Sequence, residues 1–263
     1  MDLGIKGKVA LVTGASAGLG LAAATALAAE GARVAINSRS MANLEKAAIQ
    51  LKDKIGYSPT IVAGDLSIEG VPEKIVDEVK SRLGKIDILV VNAGGPPPGK
   101  FLQHTKETWR QSAELTLFSA INLVRVAVPD MINAKWGRII FITSVAVKQP
   151  IDNLIISNTL RAGVTGFAKS ISNELAASGI TVNTVCPGYT DTERLKVLAG
   201  NIASSSGKSI EEAYLGWTGS IPVGRVGKPE ELAALIAFLA SEKASFITGT
   251  AIPVDGGYYK GLL

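Results

Sequence analysis

The residues best suited to chemistry come early in the chain. Thr13-Gly14-Ala15-Ser16-Ala17-Gly18-Leu19-Gly20 lies between a short apolar run, Lys8–Val12, and an Ala-rich helical pattern. Glycines in that context let the backbone turn tightly and approach a pyrophosphate. The helix that follows offers unpaired N–H groups and the positive end of its dipole. A second signal is Ile36-Asn37-Ser38-Arg39. Dinucleotide folds that select a free ribose 2′-hydroxyl place a carboxylate at the end of the second strand. Here no Asp or Glu occurs between Glu30 and Glu45, and Arg39 can hold a phosphate through its planar fork. The expected cofactor is NADP(H), with NAD(H) not excluded. Other chemistries are ruled out by count. One cysteine, Cys186, gives neither an internal disulfide nor a multi-cysteine metal site, and one histidine, His104, gives no His–His zinc pair.

The elements that must position these residues alternate along the whole chain. Lys8–Val12, Arg33–Ile36, Thr60–Val62, Asp87–Val91, Arg138–Thr143, Thr181–Val185 and Thr250–Val254 read as strands. Leu19–Ala29, Met41–Ile55, Glu73–Leu83, Lys106–Ile132, Ile155–Ala177 and Pro229–Ala240 have helical spacing. Strands alternating with helices imply right-handed βαβ units. The expected fold is α/β: one Rossmann-type doubly wound domain over residues 1–263, with about seven parallel strands and helices on both faces. With 47% apolar and 19% charged residues the chain can bury a sizeable core. The net charge of +4 comes from scattered basic residues, so no nucleic acid partner is expected. No apolar run is read as reaching the roughly 18 residues of a membrane span, and the N-terminus lacks a signal-peptide pattern. A cytoplasmic location without membrane contact is the expectation. Glu193–Ser220 interrupts the alternation and reads as a substrate lid of apolar and small polar residues, without a distinctive charged clamp.

The glycine spacing T-G-x-x-x-G-x-G resembles the short-chain dehydrogenase/reductase family. The resemblance continues through nearly the whole chain. Asp65-Leu66 is similar to the family's adenine contact, and Asn92-Ala93-Gly94-Gly95 to its N-A-G motif. Ser144 falls at its catalytic serine. Pro187-Gly188-Tyr189-Thr190-Asp191-Thr192 is similar to its P-G-x-x-x-T segment, whose threonine meets the nicotinamide carboxamide. Val254-Asp255-Gly256-Gly257 matches its C-terminal signature. By motif the chain is most similar to the 3-oxoacyl-[acyl-carrier-protein] reductases. The resemblance implies cofactor contacts from Gly14, Ser16, Gly18, Leu19, Gly20, Ser38, Arg39, Asp65, Leu66, Asn92, Ala93, Gly94, Arg161, Pro187, Gly188, Thr190 and Thr192. It also implies a small carbonyl substrate, such as an acyl-carrier-protein or CoA thioester, and a homodimer or homotetramer.

The active-site register departs from that family. Its tyrosine lies thirteen residues after the serine and its lysine four further on; here those positions hold Ser157 and Arg161, and the asparagine position holds Thr116. An aliphatic hydroxyl is a far weaker acid than a phenol, and an arginine supplies charge without relaying a proton. Tyr189, Lys148 and His104 are the candidate replacements for the proton donor, with water a further source. Cys186 reads as a small buried apolar residue and Asp152 as a loop residue. Two readings follow: a carbonyl reductase with a non-standard proton donor, or a catalytically impaired NADP(H)-binding protein with a regulatory or assembly role.

Overall fold

A computed structural model of the protein describes residues 1–207 and 209–262; Lys208, inside the Glu193–Ser220 segment, and Leu263 lie outside the described residues. The strands are β1 (Val9–Val12), β2 (Arg33–Ser38), β3 (Thr60–Ala63), β4 (Ile88–Val91), β5 (Gly137–Ile142), β6 (Ile180–Pro187) and β7 (Ala251–Val254). They form a single sheet in the order β3-β2-β1-β4-β5-β6-β7. Every neighbouring pair is parallel. β1, β4, β5 and β6 are buried along their whole length; β1 and β4 are accordingly unbroken apolar runs, while β6 buries Thr181, Asn183 and Thr184 among its apolar residues.

Helices cover both faces. α1 (Gly18–Ala29), α2 (Met41–Ile55) and α9 (Pro229–Leu239) share one apolar core with the sheet. α1 is apolar on nearly every side because it is wedged between the sheet, α2 and α9. On the opposite face α3 (Val71–Leu83), α5 (Ser119–Ala134) and α6 (Ile155–Leu175) pack around Leu123, Phe141 and Val164. The chain runs from β1 outward to β3 and then returns to place β4 on the other side of β1. The carboxyl ends of β1 and β4 therefore open a crevice at the point where the winding reverses, the usual ligand position in such sheets.

Three expectations change. The single helix expected over Lys106–Ile132 is α4 (Lys106–Ala113), a wide π turn at Glu114–Phe118, and α5. In that turn the Ser119 hydroxyl donates to the Leu115 carbonyl (2.5 Å), and the extra residue aims both positions at the crevice. The continuous run Lys106–Ala134 is also long and apolar enough, by length and composition, to cross a membrane, contrary to the expectation that no such run exists. Its inner face, Ala120, Leu123, Val124, Ala127 and Met131, is instead spent on the core. Finally, Glu193–Ser220 contains two helices, α7 (Glu193–Ser206) and α8 (Ile210–Thr218). Thr192 caps the first by accepting from the Leu195 N–H, and a Ser209–Glu212 capping box opens the second.

Candidate active site

The glycine loop is held by its neighbour across the crevice. Thr13 Oγ1 donates to the Asn92 carbonyl (2.8 Å) and accepts from the Asn92 N–H (2.9 Å), while Asn92 Nδ2 donates to the Gly14 carbonyl (3.1 Å). Gly14 has φ +57°, and a Cβ there would lie 2.7 Å from the Asn92 side chain. Gly20 is needed for a different reason: a Cβ on it would collide with the Gly14 carbonyl. Close packing of the first helix turn against the loop thus brings the α1 N-terminus to the crevice. No side chain caps that terminus, so its first N–H groups are open to a ligand. An anionic diphosphate fits this cradle.

From the loop a groove of about 390 Å³ runs in two directions. At one end Ser38, Arg39, Ser40 and Asn43 line it. Arg39 is exposed and has no hydrogen-bonding partner among the described residues, so its fork is available to a phosphate. Asp65 and Leu66 line the same stretch, the carboxylate accepting from the Ser67 hydroxyl (2.7 Å) and N–H (3.0 Å). Of the cofactor residues expected from sequence, Gly14, Ser16, Gly18, Leu19, Ser38, Arg39, Asp65, Leu66, Asn92, Ala93, Gly94, Arg161 and Thr192 line this groove. Pro187, Gly188 and Thr190 line a second cavity that adjoins it through shared Leu19, Thr143, Arg161, Thr192 and Arg194. Gly20 lines neither and acts through packing.

The second cavity, about 150 Å³, brings together Ser144, Ser157, Arg161 and Tyr189. Ser144 lies two residues beyond β5, capping the short turn Val145–Val147, and accepts from the Ala146 N–H (3.1 Å), which fixes its oxygen and leaves its proton for a ligand. Ser157 and Arg161 stand one helical turn apart on the inner face of α6, as the four-residue spacing requires. The Ser157 hydroxyl lines the cavity without a hydrogen-bonding partner among the described residues. Arg161 is only 9% exposed. Its Nη1 donates to the carbonyls of Ile142 (3.1 Å) and Thr143 (2.7 Å), and its Nη2 to Ala93 (3.4 Å). Burial, reinforced by the like charge of Arg194, brings its pKa down to about 10, so it stays protonated at neutral pH.

The proposed replacements for the missing phenol fare unequally. Tyr189 lines the cavity, stacked on Trp217 (5.1 Å between centroids) with Tyr258 edge-on (5.2 Å). Burial, and then the Tyr258 hydroxyl, push its pKa up, so it is a poor source of a proton at neutral pH. Lys148 and His104 are not among the residues lining either cavity. Thr116 is buried in the π turn with its hydroxyl unpartnered; it reaches neither cavity, whereas Leu115 and Ser119 line the groove. Cys186 is buried beside the Thr143 hydroxyl (3.5 Å), its pKa raised by burial, and Asp152 is exposed, both as expected.

One expectation is overturned. The Glu193–Ser220 segment, expected to offer no distinctive charged group to the site, does place a cation on the cavity wall. Arg194, at the start of α7, crosses the groove and donates to the carbonyls of Gly95 (3.3 Å) and Pro96 (3.1 Å) in the loop after β4. The only sequence signal was a cation two residues after Thr192.

Comparison with known proteins agrees with this geometry. The family profile described as enoyl-(acyl carrier protein) reductase matches residues 14–259. The 3-oxoacyl-[acyl-carrier-protein] reductase FabG of Aquifex aeolicus is 34% identical, with 98% of this chain and all of the relative covered. FabG of Escherichia coli is 33% identical over 98% of this chain and 99% of its own length. The structure of L-sorbose reductase from Gluconobacter frateurii, complexed with NADPH and L-sorbose, superposes with a TM-score of 0.94 at 35% identity over the full length of both chains. YwfH, an NADPH-dependent reductase involved in bacilysin biosynthesis, gives 0.91 at 34% identity over 97% of this chain and 99% of its own.

Proposed function

Because the chain belongs to the short-chain dehydrogenase/reductase family, we propose that it is an NADP(H)-dependent reductase acting on a carbonyl substrate with a non-standard proton donor. The observation that carries this reading is the continuity of the two cavities: an open phosphate cradle and Arg39 at one end lead to the Ser144 and Ser157 hydroxyls at the other.

Bound NADPH would supply a hydride to the carbonyl carbon. Gly14, Gly18 and the α1 N-terminus would hold its diphosphate, and Ser38, Arg39 and Ser40 its 2′-phosphate. Preference for NADPH over NADH follows from charge, since no carboxylate stands at the end of β2 to repel that phosphate. Arg161 would donate from its remaining N–H groups to the ribose or substrate. Ser144 donates a hydrogen bond to the substrate oxygen. As the C–H bond forms and the C=O π bond opens, negative charge collects on that oxygen. Hydroxyl donors and two guanidinium groups stabilise it there. Neither Ser157 nor Arg161 is acidic enough to protonate it outright, so the proton comes through Ser157 from water.

The test is calorimetric titration with NADPH and NADH, followed by NADPH oxidation across a panel of ketones and 3-oxoacyl thioesters. Tight NADPH binding, weak NADH binding and enzyme-dependent oxidation of at least one carbonyl are expected. Tight NADPH binding with no oxidation across the panel would favour the second reading, a nucleotide-binding protein that has lost turnover, which the absence of a phenol on α6, where Ser157 and Arg161 face the cavity, favours.

A further inference from the structure

Among the described residues, Arg161 and Arg194 are the only charged side chains lining the Ser144 cavity. A buried guanidinium is ordinarily matched by an acid or an aromatic face. Arg138, the other deeply buried arginine, has both: Glu242 lies close by, and the Trp136 ring is 4.4 Å from its guanidinium carbon. Neither Arg161 nor Arg194 forms an ion pair among the described residues. The nearest acid on α7, Glu193, is taken by Lys196 at 2.6 Å. Backbone carbonyls use three of the five N–H donors of Arg161 and two of those of Arg194. The remaining donors have no acceptor among the described residues; Arg161 is buried, whereas Arg194 is exposed and its spare donors face solvent as well as the cavity. Two cations, spare donors and no acid around one small cavity describe a site short of an anion.

We propose that Arg161 and Arg194 together bind a carboxylate on the substrate, so that the preferred carbonyl compound is a small oxo acid whose carboxylate lies near the carbonyl that Ser144 holds. This rests on the reductase reading and narrows its substrate. A cavity of about 150 Å³ suits a compact oxo acid. Anchoring the carboxylate also fixes the carbonyl against Ser144, which matters more in a site without a strong acid. Arg194 couples this anchor to the lid: it enters on α7 while its other contacts tie α7 to the loop after β4.

The probe is oxamate, a planar carboxylate resistant to reduction, with neutral oxamide as its control. Each is titrated calorimetrically into the protein alone and into the protein saturated with NADPH. Oxamate is expected to bind and oxamide not to. Arg194→Gln should weaken oxamate about tenfold, Arg194→Lys by less, and Lys196→Gln, which alters an exposed cation on the same helix, should leave it in place. Thermal melts of each variant confirm that it is folded, and Arg194→Lys carries the test should Arg194→Gln not fold. Equal binding of oxamate and oxamide overturns the proposal. So does oxamate binding indifferent to both Arg194 substitutions. A fall in NADPH affinity as large as the fall for oxamate also overturns it, because Arg194 would then serve the cofactor's phosphates. Failure of NADPH to bind, with Arg194-dependent oxamate binding intact in the nucleotide-free protein, would remove the reductase reading and keep the anion site.

Discussion

The two ends of the groove are built on different principles. At the glycine loop, the groups that shape the site are satisfied by one another. Thr13, Gly14 and Asn92 close a ring of hydrogen bonds, which leaves the N–H groups of the α1 terminus open to a ligand. At the α6 end the reverse holds. Among the described residues Ser157 has no partner and Arg161 and Arg194 have no counter-ion, and Tyr189 is held protonated by burial. The first end is a preformed receptor that needs only backbone geometry. The second gains from whatever fills it, because the buried charge of Arg161 is costly until a ligand neutralises it. Shape is thus concentrated at one end of the groove and unspent electrostatics at the other.

Restoring a phenol would act at the unspent end and should have the largest effect. In the double variant Ser157→Tyr/Arg161→Lys a phenol would enter the cavity beside Ser144, with an ammonium one helical turn away. Positioned acid catalysis contributes about 10²–10⁴-fold, so kcat for ketone reduction should rise by something within that range. Steady-state assays on a folded variant check it. No rise would mean that proton supply is not what limits this site.

Disturbing the glycine loop should come next. Gly20→Ala forces a Cβ against the Gly14 carbonyl, which is backbone and has little room to yield. Overpacking of this kind costs about 1–3 kcal/mol, or up to roughly 100-fold in NADPH affinity if the strain falls on the loop. Calorimetry with a parallel melt separates lost binding from lost stability. Unchanged affinity and unchanged Tm together would show that the loop is softer than its hydrogen bonds indicate. A smaller effect is expected from Arg39→Gln. The arginine is exposed, so its pairing with a 2′-phosphate is screened and amounts to about 1 kcal/mol. NADPH should weaken about fivefold and NADH hardly at all. Equal weakening of both would place Arg39 away from the 2′ position.

The same contrast governs what could be read from sequence. Gly14, Gly18 and Gly20 were legible because their constraint is local: strand, turn and helix follow one another within a dozen residues or so. The sheet was legible for a related reason, since strands buried on both faces leave unbroken apolar runs. Ser157 and Arg161 were located by counting from Ser144 in the family register, thirteen residues and then four more. Arg194 was missed because its acceptors, Gly95 and Pro96, lie 99 and 98 residues away, and no local pattern announces that contact. The π turn was hidden as well. A single extra residue in a helix leaves the apolar spacing nearly intact, and its consequence, Leu115 and Ser119 on the groove wall, depends on packing against the sheet. Tyr189 was legible as a cavity residue but not as a poor acid, since its pKa is set by Tyr258 and by burial under Trp217.

Tyr189 offers the finest test of the contrast. If the α6 end used it as proton donor, Tyr189→Phe would cost most of the turnover, on the order of 10²-fold or more. Its surroundings argue for a wall instead. The ring stacks on Trp217 and meets Tyr258 edge-on, contacts that phenylalanine reproduces. Raising a phenol's pKa also makes it a weaker acid at every pH below that value, so the group stays protonated through the neutral range. The expected loss is that of one neutral hydrogen bond, about 0.5 kcal/mol, or roughly twofold in kcat/KM, with no change in the pH profile. A hundredfold loss would return the proton to Tyr189 and make the α6 end a furnished acid site. A twofold loss keeps the contrast intact: Tyr189 shapes the cavity, and the chemistry falls to hydroxyls, guanidinium groups and water.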